Sequence, residues 1–181
     1  MKLVSKSGKE TKNFALRFAR DIAKLAQGKH AFVISLEGDL GAGKTTFTQG
    51  FAEGLGIKEK IQSPTFVVLK IYKIGARGKG QGARKQLIHV DAYRLQAKDF
   101  KVLGWKEFIK NPQNIILVEW GNKIKSILPK NATRILFEHR KNPKERKIRI
   151  LNGRRDDWER IVDFGSDGVP AKELLRYLQK K

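Results

Sequence analysis

Cysteine is absent from the 181 residues, methionine occurs once, histidine three times and proline five times. Without a thiol there is no disulfide framework, no thiolate zinc site, no iron–sulfur cluster and no cysteine nucleophile. No apolar run approaches the roughly 20 residues that a membrane-spanning helix needs. The opening Met1-Lys2-Leu3-Val4-Ser5-Lys6-Ser7 also lacks the apolar centre of a secretory leader. A cytoplasmic protein without membrane association is the expectation. Acidic residues are scarce as well. Eighteen Asp plus Glu face 39 Lys plus Arg, a formal net charge of +21, more than solubility requires. Such a balance fits a polyanionic partner. With 40% hydrophobic and 9% aromatic residues the chain nevertheless has enough apolar surface to fold. It reads as a single globular domain over residues 1–181, with no internal repeat.

Hydrophobic periodicity sets out the elements. Phe14, Leu16, Phe18, Ile22 and Leu25 recur at mostly three- and four-residue intervals, predicting an amphipathic helix that ends near Gly28. Ala31-Phe32-Val33-Ile34-Ser35-Leu36 reads as a buried strand, followed by a glycine-rich turn and a helix from about Lys44 to Leu55. Residues 66–72 and 86–90 read as two strands of a hairpin. Between Lys70 and Gln86 lie six basic residues and no acidic one, and a solvated hairpin tip is their plainest reading. Ile115-Ile116-Leu117-Val118 suits a strand buried on both faces. Residues 134–138 and 147–151 suggest a second hairpin at one side of the sheet. Pro170 with Leu174, Leu175 and Leu178 suggests a closing helix. The fold class is α/β, and with Gly38-Asp39-Leu40-Gly41-Ala42-Gly43-Lys44-Thr45 between the buried strand and the helix it reads as a P-loop NTPase fold in which a mixed sheet, a parallel core plus antiparallel hairpins, is flanked by helices.

Gly38-Asp39-Leu40-Gly41-Ala42-Gly43-Lys44-Thr45 fits G-x-x-x-x-G-K-[ST], between a predicted strand and a predicted helix. Its glycines let the backbone wrap phosphate oxygens, its N–H groups and the helix N-terminus supply partial positive charge, and Lys44 adds a full one. Thr45 offers a hydroxyl to Mg²⁺. Such a loop binds phosphate without choosing the reaction. The choice falls to carboxylates, and Asp91 and Glu119 each end an apolar strand, as the Mg²⁺-linked acid of P-loop NTPases does. One would hold metal and the other the attacking water, in an order the sequence leaves open. Ser63-Pro64-Thr65-Phe66 reads as a turn opening the next strand, and Thr65 is placed to approach Mg²⁺ or the γ-phosphate. Trp120 reads as an anchor for the sheet end. His89 reads as structural, since it lies within an apolar strand and has no zinc-ligand partners at metal-site spacing.

These residues resemble the bacterial TsaE family (also called YjeE), the small P-loop ATPases of tRNA threonylcarbamoyladenosine biosynthesis. The resemblance rests on residues 36–46, Ser63-Pro64-Thr65-Phe66, His89-Val90-Asp91-Ala92-Tyr93-Arg94-Leu95, Leu103-Gly104 and Val118-Glu119-Trp120. It runs from about residue 11 to about residue 150, with Thr11, Phe14, Ala15, Phe18 and Ala19 similar to the family's opening helix. It implies a nucleotide site for ATP or ADP with Mg²⁺, formed by residues 38–46: Gly38, Asp39, Leu40, Gly41, Ala42, Gly43, Lys44, Thr45 and Thr46. Thr45 and Glu119 would be the metal-linked pair, with Asp91 as the acid needed for hydrolysis. Thr65 would lie on a mobile loop and Thr11 beside the adenine. It also implies that the chain acts with TsaB and TsaD, hydrolysing ATP to reset that complex between rounds of transfer to the adenosine 3′ of the anticodon. The glycine-rich basic loop at 75–85, the charged extension at 151–181 and the strong basicity depart from the family pattern.

Two other readings compete. A small nucleoside or nucleotide kinase would use Asp91 on an acceptor hydroxyl and close Arg77 and Arg84 over the phosphates, but no acceptor pocket is evident. A basic RNA-binding module with nucleotide as a structural ligand would bind RNA whether or not Lys44 is present, but no RRM-like aromatic signature accompanies the charge. Arg94 and Arg146 are candidate in-cis arginine fingers, with surface ion pairing as the plainer alternative for both.

Overall fold

Continuous apolar runs give the central strands two buried faces, and helices or turns cover each. The computed structural model describes residues 2–24, 28–64, 67–74 and 86–152. Its strands are β1 (Lys2–Ser5), β2 (Phe32–Gly38), β3 (Leu69–Lys73), β4 (Gln86–Asp91), β5 (Asn114–Glu119), β6 (Thr133–His139) and β7 (Arg146–Asn152). They form one sheet of order β1-β7-β6-β2-β5-β4-β3. Pairings β6–β2, β2–β5 and β5–β4 are parallel, whereas β1–β7, β7–β6 and β4–β3 are antiparallel. This is the expected mixed sheet, a parallel core with a hairpin on either side.

Helix α1 (Gly8–Lys24) begins at a side-chain cap from Ser7. Glu10 N–H donates to Ser7 Oγ at 3.1 Å, and Lys6 N–H donates to the Glu10 carboxylate at 2.7 Å. Its buried stripe of Phe14, Phe18 and Ile22 meets Phe47 and Phe51 of α2 (Lys44–Gly54), whose rings sit about 6 Å apart. Together the two helices cover Ile34, Leu36, Leu117, Ile135 and Ile148 on one face of the sheet. On the other face Ile88, Val90, Ile116 and Val118 pack against Phe100, Trp105 and Ile124. These come from the 3₁₀ turns Ala97–Lys101 and Gly121–Ile127 and the short helix α3 (Trp105–Lys110).

The structure adjusts the predicted elements at several points. The strand expected over 66–72 starts at Leu69. Val67 and Val68 N–H groups turn back onto the Pro64 carbonyl, and Val68 takes a positive φ of 66°, incompatible with an extended chain. Strand β1 escapes the periodicity argument because it has only Leu3 and Val4 between polar residues, yet it pairs with β7 at the sheet edge. The elements of 97–127 that cover the second face are also absent from that argument, being too short for a helical repeat to show. Leu25, Phe66, the basic loop at 75–85 and the suggested helix after Pro170 lie outside the described residues.

Candidate nucleotide-binding site

Parallel strands end together, so β2, β4 and β5 deliver their carboxyl-terminal residues to one edge of the sheet, where α2 begins. Residues 38–45 make the turn from β2 into α2. Gly43 precedes the helix at φ 102°, a left-handed conformation that side chains disfavour. Gly38, at φ 138°, approaches the Phe137 carbonyl of β6 so closely that a Cβ would overlap it. Ala42 is fully buried, while Leu40 is 81% exposed at the crest of the loop. Thr46 joins Gly41, Gly43, Lys44 and Thr45 in lining a cleft of about 350 Å³, which also takes in Ser63, Asp91, Tyr93, Arg94, Glu119 and Trp120.

Lys44 folds back over its own loop. Its Nζ donates to the carbonyls of Gly38 at 2.7 Å and Asp39 at 2.9 Å, and lies 3.6 Å from the centre of the Trp120 ring. Burial pulls its pKa below the ordinary 10.5, an effect that Glu119, Asp39 and Asp91 oppose as nearby negative charges.

Glu119 is nearly fully buried, and both of its carboxylate oxygens are engaged. Its Oε2 accepts from Thr45 Oγ1 at 3.0 Å; its Oε1 accepts from Thr48 Oγ1 at 3.2 Å and meets His89 Nε2 at 3.0 Å. Asp91 stands directly across in register on β4. Its Oδ2 accepts from Ser63 Oγ at 2.5 Å, and its Oδ1 accepts the Tyr93 N–H at 2.9 Å. The structure thus brings Lys44, Thr45, Asp91 and Glu119 together at one cleft.

Trp120 follows Glu119 at φ 61°, a strained conformation for a large residue. Its N–H is fixed by the Leu36 carbonyl at 2.9 Å, and its ring lies 5.0 Å from Tyr93, with Lys123 facing both rings. Sequence reasoning assigned Trp120 to the sheet end. It does sit there, but its indole also lines the cleft against Lys44.

The remaining expected residues are Thr11, Thr65 and the two arginines. Thr11 is buried in α1, its hydroxyl bonded to Ser5 Oγ at 2.8 Å and the Ser7 carbonyl at 3.3 Å, and it is not among the residues that line the cleft. Thr65 lies outside the described residues. Of the two arginines, Arg94 lines the cleft, whereas Arg146 lies on the outer side of the loop, donating to the carbonyls of Gly41, Pro143 and Glu145.

Comparison with known proteins agrees with this architecture. Residues 5–148 match the family model "Threonylcarbamoyl adenosine biosynthesis protein TsaE". The chain is 43% identical over 129 residues to the tRNA threonylcarbamoyladenosine biosynthesis protein TsaE of Bacillus subtilis, covering 70% of this chain and 75% of that one. It is 36% identical over 136 residues to the protein of the same name from Treponema pallidum, covering 75% and 89%. The crystal structure of Bacillus subtilis YdiB superposes with a TM-score of 0.67 at 32% identity, over 98% of this chain and 94% of that one. In sequence and in fold, this chain belongs to the TsaE family of tRNA threonylcarbamoyladenosine biosynthesis proteins.

Proposed function

We propose that the chain is a Mg²⁺-dependent ATPase that binds ATP and ADP through residues 38–46 and serves tRNA threonylcarbamoyladenosine modification by acting on the complex of TsaB and TsaD. The observation that carries this reading is the meeting of Thr45 and Glu119 beside the phosphate loop. Their oxygens are 3.0 Å apart. Two adjacent ligands of an octahedral ion with bonds of about 2.1 Å are separated by about that distance, and both are the hard oxygen donors Mg²⁺ prefers. Thr45 and Glu119 would hold the ion, with Asp91 close by in register. Bound there, Mg²⁺ would neutralise charge on the β- and γ-phosphate oxygens.

The chain's own groups divide the remaining work. Backbone N–H groups of the loop and the α2 N-terminus bind phosphate oxygens. Lys44 exchanges the Gly38 and Asp39 carbonyls for those oxygens, a transfer helped by its lack of a carboxylate partner within hydrogen-bonding reach. Asp91, oriented by Ser63 and the Tyr93 N–H, holds the attacking water and takes its proton. Positioning and charge stabilisation supply most of the rate in such sites, so a lone phosphate loop without a completed transition-state clamp would hydrolyse slowly until a partner completes the site. Direct contact between the basic surface and tRNA is a second element of the proposal.

The test is phosphate release from ATP with Mg²⁺, by the protein alone and then with TsaB and TsaD, with and without tRNA. Stimulation that requires the partners supports the reading. Phosphate transferred to an added nucleoside instead would make the chain a kinase.

A further inference from the structure

The His89 ring is completely buried in the middle of β4. A leucine would fill that core position without stranding any polar atom, whereas a buried imidazole must place two nitrogens. His89 places one. Nε2 lies 3.0 Å from Glu119 Oε1, and Nδ1 has no hydrogen-bond partner among the described residues. Because a carboxylate only accepts, Nε2 carries the proton and donates it to Glu119. The ring's single polar contact is therefore with the acid that faces Thr45.

Strand alternation puts His89 on the same side of the sheet as Leu87 and Asp91, the side on which α2 packs. From there His89 donates to Oε1, and the Thr48 hydroxyl, shared between that oxygen at 3.2 Å and the Lys44 carbonyl at 3.0 Å, lies against it, leaving Oε2 toward Thr45. One carboxylate oxygen is pinned and the other is presented to the loop.

We infer that His89 is a positioning residue for Glu119, fixing the carboxylate so that Oε2 and the Thr45 hydroxyl together present a ready-made pair of oxygen ligands to a divalent cation. The inference rests on the metal-site reading above. Ligand-orienting hydrogen bonds of this kind are commonly worth 10–100-fold in metal affinity.

The test compares His89→Leu, which removes the donor, with His89→Gln, whose amide nitrogen can reach Glu119, and His89→Asn, which is polar but too short. ADP affinity is measured by calorimetry with Mg²⁺ and with EDTA, and Mn²⁺ affinity of the ADP complex by electron paramagnetic resonance. Relative to wild type, His89→Leu and His89→Asn are expected to lose about tenfold in Mn²⁺ affinity and in the Mg²⁺-dependent gain in ADP binding. Their metal-free ADP affinity should stay within about twofold, since the hydrogen bond of the ring among the described residues goes to Glu119 and not to the phosphate loop, and His89→Gln should recover most of the metal affinity. If His89→Leu does not fold, the contrast between the Gln and Asn variants carries the same information. Unchanged Mn²⁺ affinity in the Leu and Asn variants, or an equal fall with and without metal, overturns the positioning role. Wild-type protein whose ADP affinity ignores Mg²⁺ overturns the metal-site reading itself, and the role of His89 with it.

Discussion

Arg146 donates to the carbonyl of Gly41 at 3.1 Å, so the first residue of β7 grips the phosphate loop from outside. His139, at the end of β6, lies 3.2 Å from the neighbouring Leu40 carbonyl. The β6–β7 hairpin thereby takes up outward carbonyls of the loop whose N–H groups are needed inside. Hydrogen bonds from a charged donor to a carbonyl are worth about 1.5–3 kcal/mol when shielded and less when exposed, as this one is. Arg146→Ala should therefore weaken ADP binding about three- to tenfold, with Mg²⁺ dependence kept. Calorimetric titration checks it; unchanged affinity would mean the brace is dispensable.

Lys44→Met should abolish the nucleotide-induced rise in melting temperature, since the loop loses its one full charge toward the phosphates. A second consequence concerns pH. Because burial lowers the Lys44 pKa below 10.5, the unfolded chain binds the proton more tightly than the folded one. Stability from this group therefore rises as pH climbs from the lowered value toward 10.5. Denaturant titrations of the nucleotide-free protein should show that rise in wild type and a flatter profile in Lys44→Met. Parallel profiles would contradict it.

Glu119→Ala should remove the Mg²⁺ dependence of ADP binding and of hydrolysis while sparing metal-free ADP binding to within a few-fold. Asp91→Asn should keep the metal-dependent binding and lose turnover. If the two variants exchange phenotypes in paired binding and phosphate-release assays, the roles of the two acids are the reverse of those proposed.

Gly50 and Gly54 of α2 should not tolerate alanine. A Cβ at either would overlap backbone of α1, the Lys12 carbonyl at Gly50 and the Leu16 carbonyl at Gly54. Alanine gains about 1 kcal/mol of helix propensity. Overpacking against rigid backbone costs about 1–3 kcal/mol, so the steric effect wins. Each variant should melt several degrees lower in calorimetry; a higher melting temperature would show that the helices separate freely.

Deleting residues 75–85 should leave ADP affinity intact and reduce binding to tRNA or to the TsaB–TsaD complex, most clearly at low salt. Four of the six basic residues between Lys70 and Gln86 fall in that segment: Arg77, Lys79, Arg84 and Lys85. Filter binding and pull-down at two salt concentrations check this. Unchanged affinity for both partners would make the segment a spacer.

The parts of the site legible in the sequence are those whose chemistry is local. The phosphate loop is contiguous, and its glycines, Lys44 and Thr45 have fixed spacing. Asp91 and Glu119 stand out because each closes an apolar run. What sequence reasoning misses depends on register between strands. Nothing local shows that His89, two residues before Asp91, faces Glu119 across the sheet, since that requires β4 and β5 to be paired. Trp120 likewise reaches Lys44 only because its backbone turns left-handed after β5, and tryptophan carries no signal for that conformation. The Ser7 cap of α1 is different, since Ser-x-x-Glu before an apolar stripe is a local signal for a helix start.

The sheet order has a consequence for how the protein comes into being. Strand β2, which launches the phosphate loop, pairs with none of its near neighbours in sequence: Phe32 aligns with Ile115, and Ile34 with Thr133. Loops of about 80 and about 100 residues must close before its two flanks are filled, which is the slow kind of assembly. A chain emerging from the ribosome has Lys44 and Thr45 in hand long before it has Glu119 or the β6–β7 hairpin. On the proposed function, tight nucleotide binding would therefore be a late event in biogenesis, and a bound nucleotide would mark the parallel core as complete.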